Sequence, residues 1–107
     1  MTNILHIQRI KGDTRRRIFH ILSKTSPSGV DITSWTNFEL LIDTLEFPPD
    51  NTTVVETIAG IVVDATTGRV GFTFSGTLPQ GNYFYKARAV DDNSEITTFV
   101  RGNFVVL

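Results

Sequence analysis

The chain contains no cysteine, which excludes a disulfide framework, a thiolate metal centre and a cysteine nucleophile at once. It also lacks a charge excess of either sign. Ten Lys and Arg stand against eleven Asp and Glu, a net charge of −1, which argues against a sequence-independent grip on nucleic acid, a task that needs a concentrated basic face. The one basic run is Arg15-Arg16-Arg17. On a strand, successive side chains point to opposite faces, so these three form no single patch and read as a solvated strand start. No apolar stretch approaches a membrane span, and Met1 to Ile7 lacks the charged start and long apolar run of a secretion signal. The expectation is a soluble protein made in the cytoplasm, with neither nucleic acid nor membrane as partner. No internal repeat and no Gly-x-Ser-x-Gly nucleophile elbow is found either. Nothing in the motifs therefore calls for an enzyme or a cofactor.

What the chain does have is enough apolar mass for one core. Its 107 residues fit a single domain, 1–107, and include eight Phe, two Tyr and one Trp. A domain of this size buries roughly two thirds of the surface its unfolded chain exposes, so metals or cross-links are not required to hold it. The composition argues against disorder as the global state.

Turn residues punctuate short extended runs throughout. Ile4 to Ile10 reads as a short strand, and Lys11-Gly12-Asp13-Thr14 as a turn joining it to the next. In Arg17 to Leu22, Phe19 and Ile21 share one face and Ile18, His20 and Leu22 the other. Residues 35–45 are ambiguous. Phe38, Leu41, Ile42 and Leu45 obey helical spacing with Thr36 and Glu39 as a capping box, yet Thr36, Phe38, Leu40 and Ile42 also alternate against Asn37, Glu39 and Asp43. The strand-like flanks decide for a strand. Phe47-Pro48-Pro49-Asp50-Asn51 is a loop, because consecutive prolines remove two ladder donors.

Beyond the prolines, Val54-Val55 and Ile61-Val62-Val63 are β-branched runs with Gly60 between them marking a bend or bulge, and Asp64 to Gly68 supplies hairpin chemistry. Arg69 to Ser75 gives the cleanest alternation, with Val70, Phe72 and Phe74 inward. Gly81 to Val90 repeats it with Tyr83, Tyr85, Ala87 and Ala89, and Asp91-Asp92-Asn93-Ser94 turns the chain back. Ile96 to Val100 and Phe104 to Leu107 complete the sheet across Gly102.

The segment Leu78-Pro79-Gln80-Gly81-Asn82-Tyr83-Phe84-Tyr85 is a tight corner feeding a strand. A Tyr two residues after the corner Gly packs its ring inward while its hydroxyl bonds nearby backbone, an arrangement that organises many immunoglobulin-like sandwiches. The fold class expected is all-β, an immunoglobulin-like β-sandwich of about seven or eight antiparallel strands.

A resemblance adds to this reading. Ile7-Gln8, Gly12-Asp13-Thr14 before Ile18-Phe19, and Val30 to Trp35 before a strand resemble a small domain of tailed-phage virion proteins. So do Asp64 to Gly68 before Val70-Gly71-Phe72, Leu78 to Tyr85, Asp91-Asp92, Thr97-Thr98 and Gly102 to Val106. The whole is similar to the N-terminal immunoglobulin-like domain of phage baseplate upper proteins. That resemblance implies a non-enzymatic structural protein of the virion, synthesised in the host cytoplasm, that docks on other phage structural proteins of baseplate, tail or capsid and assembles as a homo-oligomer in the particle. The chain departs from the family by ending at Leu107 without a helical stalk or further domains, which favours an adaptor, a tail component or a capsid decoration protein.

The contact region expected is the proline loop, with Phe47, Pro48 and Pro49 as candidate partner-contact residues and the terminal strands as edges able to pair with another sheet. The alternative is a carbohydrate- or receptor-binding module using Trp35 with Tyr83 or Tyr85 as a platform for sugar rings. Core packing explains those rings more simply. His6 and His20 meeting across a hairpin beside Asp13 or Asp31 would offer imidazoles to a metal, but backbone-bonded histidines are the plainer reading. Asp91-Asp92-Asn93 with Glu95 offers oxygens of the type calcium takes, at what is more simply a hairpin turn.

Overall fold

The protein, described here from a computed structural model at residues 3–22, 28–48, 50 and 52–107, is a β-sandwich with no helix among those residues. Its strands are β1 (Asn3–Ile4), β2 (Ile7–Arg9), β3 (Arg16–His20), β4 (Thr36–Asp43), β5 (Val54–Ala59), β6 (Ile61–Asp64), β7 (Arg69–Thr73), β8 (Gly81–Val90) and β9 (Ile96–Val106). The larger sheet runs β1-β9-β8-β4-β5 with β2 also on β9, and the smaller runs β3-β7-β6. Because β1 and β2 are two halves of one edge strand broken at Leu5 and His6, the count among the described residues comes to eight.

One expectation is corrected here, since the strands are not all antiparallel. Both β1 and β2 run parallel to β9, with Ile4 opposite Arg101 and Ile7 opposite Phe104. The turn at 11–14 joins β2, in the large sheet, to β3, in the small one, instead of closing a hairpin. Nor is the C-terminal strand an edge: β9 is paired on both sides, and the edges are β1 with β2, β5, β3 and β6.

The segment with two readings is a strand. Leu40, Leu41, Ile42 and Asp43 are buried in succession, which a helix with one apolar stripe does not achieve but a strand covered on both faces does. Its inward residues Phe38, Leu40 and Ile42 meet Val70 and Phe72 of the small sheet in a common core. Aromatic rings tie the layers together: Phe19 of β3 stacks on Tyr85 of β8 at 6.2 Å, and Phe74 meets Phe104 at 5.2 Å. Gly60, where β5 leaves the large sheet for β6 in the small one, packs against Phe38 and Phe72. The corner before β8 forms as the sequence indicates, the Tyr83 hydroxyl donating to the Pro79 carbonyl at 2.9 Å. Tyr85 points inward and donates to Leu5 O at 2.6 Å. Burial pushes its hydroxyl pKa far above the ordinary tyrosine range, so it stays a donor.

Aspartates tie off the turns. Asp13, Asp31, Asp43, Asp50 and Asp91 each accept the backbone N–H two residues on, the local bond that makes Asp a turn former. Hydrogen bonds from Arg15 hold the Asp13 carboxyl at about 2 against an ordinary 3.8. Threonine hydroxyls from Thr33, Thr52, Thr66 and Thr97 lower Asp31, Asp50, Asp64 and Asp91. A carboxyl whose folded pKa lies below its unfolded one contributes stability that is complete above the unfolded value and is lost as pH falls through the folded one. The expected result is a melting temperature insensitive to these groups from pH 7 to 5 that declines between about pH 4 and 2. Asp13→Asn should melt below the wild type at pH 7 and converge with it near pH 2; a gap that persists in acid would rule out the charge as its cause.

Candidate functional site

The site is assembled on the outer face of the large sheet, where strand pairing sets residues in rows. Leu41 lies opposite Lys86, Lys86 opposite Arg101, and Arg101 opposite Ile4. In the next row Asp43 faces Phe84 and Phe84 faces Asn103. Apolar residues at outward positions, Leu41 and Phe84, would be wet on a bare sheet. Leu41 is only 3% exposed, because the chain after β4 folds back over it.

Asp43 makes that return turn. Its Oδ1 accepts from the Leu45 N–H at 2.9 Å and from the Thr53 hydroxyl at 2.5 Å, pinning both ends of the loop. Its Oδ2 is buried without a partner, and the residue is only 4% exposed. Between the loop and the sheet lies a groove of about 550 Å³ whose lining includes Leu41, Asp43, Glu46, Phe47, Phe84, Lys86 and Arg101, with Pro48, Ile4, His6 and Asn103 also on its walls, and Glu46 reaches neither cation within ion-pair distance. This volume is within the range of ligand pockets.

Of the residues expected at a contact, Phe47 is 73% exposed at the groove rim and Pro48 is half-buried beside it; Pro49 lies outside the described residues. The Arg101 guanidinium sits over the Phe47 ring, 5.2 Å from its centroid, a cation–π contact that fixes the loop to β9. Lys86 and Arg101 are directly opposed across β8 and β9. Neither has a carboxylate within ion-pair distance among the described residues, whereas Arg88, further along β8, pairs with Glu39 at 2.8 Å. Like charges facing each other across two strands destabilise the sheet.

The other candidates are not brought together. His6 belongs to the large sheet's edge, its Nδ1 accepting from the Asn103 N–H at 3.0 Å, and His20 belongs to the small sheet, its Nε2 donating to Ser28 O at 3.1 Å. The hairpin that would have paired them does not exist. Asp13 is engaged by Arg9 and Arg15, and Asp31 by Thr33. Asp91 spends its oxygens on Asn93 N, Glu95 N and the Thr97 hydroxyl, tying the β8–β9 turn. Among the described residues no group of three or more His, Asp or Glu is placed to hold a metal ion. Trp35 is half-buried and stacks on Phe38 at 6.5 Å, part of the core wall instead of an open platform.

Sequence reasoning missed Lys86, Arg101 and Asp43. The signal available was the pair of apolar residues out of alternation, Leu41 and Phe84, which indicate something covering that face. No protein-family model matches this chain, and no curated protein matches it.

Proposed function

We propose that this chain is an immunoglobulin-like β-sandwich acting as a non-enzymatic structural protein of a tailed-phage virion, an adaptor or accessory module that docks on other virion proteins through the proline loop. The strand order supports the immunoglobulin-like reading: a parallel N-terminal strand on the last strand, the tyrosine corner before β8, and a three-stranded second sheet. In place of a disulfide between the sheets, Phe19 stacks on Tyr85, two residues after the corner tyrosine. The virion assignment rests on the resemblance of the turn and strand positions given above.

The observation that carries docking is Phe47. A phenylalanine ring left largely in water costs the isolated protein hydrophobic free energy that a partner's pocket recovers. The proline beside it and Arg101 over its ring hold it in place, so little conformational freedom remains to be lost on binding. The test is incorporation of tagged protein into purified particles, quantified by mass spectrometry. Phe47→Ala should reduce incorporation by about 30-fold, a hot-spot loss, with the melting temperature changed by no more than a surface substitution allows. Equal incorporation of the two proteins would remove the loop from the interface.

A further inference from the structure

We infer that the groove beneath the proline loop receives an acidic extended segment of a partner protein, its carboxylate held between Lys86 and Arg101. This rests on the loop-docking reading and names the chemistry of the partner. All eleven carboxylate residues of the chain are among the described residues, yet none pairs with either cation, while the neighbouring Arg88 has Glu39. Two opposed, half-buried cations repel each other in the free protein. An incoming carboxylate converts that repulsion into two charge-assisted hydrogen bonds.

A second observation points the same way. Asp43 Oδ2 is a buried acceptor with no donor in the wall of the same groove, and a buried unsatisfied polar atom is costly. A segment seated in the groove brings its own backbone N–H to that wall. The segment thus carries a carboxylate toward β9, an N–H donor toward β4, and an apolar side chain against Leu41, Phe84 and the Phe47 ring. An extended peptide supplies all three along one edge, since its side chains alternate and its backbone donors recur.

The test is selection from a displayed library of random decapeptides on the full chain, followed by titration of the labelled winners. Enrichment of Asp and Glu beside an apolar residue is expected, with affinity that falls as salt rises. Lys86→Glu is the informative variant, because it gives Arg101 a cross-strand ion partner; it should fold, melt no lower than the wild type, and bind the selected peptides about 30-fold more weakly. Winners with no acidic bias, or acidic winners indifferent to Lys86→Glu, overturn the inference. So does binding of polysialic or polygalacturonic acid in a Lys86-dependent manner with no peptide enriched, which assigns the groove to acidic sugar. Titrating Phe47→Ala separates the two readings: neutral winners that need Phe47 keep the loop and discard the acidic partner, whereas acidic winners that ignore Phe47 do the reverse.

Discussion

Phe72→Ala is expected to lower the free energy of unfolding by about 3–5 kcal/mol, the cost of a large ring deleted from a core that does not close over the gap. Phe72 is fully buried on the central strand of the small sheet. Its ring meets Phe19 edge-on at 5.7 Å and lies against the backbone of Gly60, so it fills the space beside the crossing between sheets. Collapse into that space is blocked, because β3 and β6 hold β7 from both sides through paired backbones. With total stabilities of roughly 5–15 kcal/mol for domains in general, such a loss takes up much of the margin, and the urea midpoint should fall steeply at unchanged slope. Phe47→Ala removes the same atoms from a largely exposed site and should cost no more than about 0.5 kcal/mol. Equal costs for the two deletions would contradict the two-layer core, since only burial distinguishes them.

The sequence carried the layers better than their connections. Alternation in Arg69 to Ser75 and Gly81 to Val90 marks the inward residues Val70, Phe72, Phe74, Tyr83, Tyr85, Ala87 and Ala89, all buried except Tyr83, which is half-buried against the core, because a period of two has one physical cause on a half-wet sheet. The turns at Asp64–Gly68 and Asp91–Ser94 are legible for a similar reason: Gly68 at φ 76° and the Asp91 side-chain bonds are local demands met by local residues. Which sheet a strand joins is not local. Lys11 to Thr14 looks like hairpin chemistry, but the destination of the chain after Gly12 is fixed by Phe19 finding Phe72 and Tyr85 across the core. The parallel placement of residues 3–9 on β9 depends on partners about a hundred residues away in the chain. The groove follows the same rule. Phe47 and Pro48 stand out as a stiff apolar loop in sequence, while Lys86 and Arg101 become neighbours only once β8 and β9 are in register.

Gly102→Ala is expected to loosen the N-terminal strand from β9 and to destabilise the fold by about 3 kcal/mol, at the upper end of overpacking costs. A Cβ at this position would meet the Leu5 carbonyl oxygen at 2.1 Å and its carbon at 2.7 Å. These are backbone atoms of a paired strand, so no side-chain rotation relieves the overlap and the strand itself has to move. The bonds at risk are Leu5 N–H to Arg101 O at 2.9 Å, Asn103 N–H to His6 Nδ1 at 3.0 Å and the Tyr85 hydroxyl to Leu5 O at 2.6 Å. The last leaves a buried phenol without an acceptor, which adds to the steric cost. Hydrogen exchange locates the effect: amides of residues 4–9 and their partners on β9 should lose protection, while β7 and the β4–β8 pairing keep theirs. Ile4, His6 and Gly102 also close one end of the groove, so binding there should weaken in the same variant, and the bared flank of β9 should promote edge-to-edge self-association. Unchanged protection at residues 4–9 would mean that the strand tolerates the added methyl, and that the close approach of Leu5 to Gly102 does not hold the edge in place.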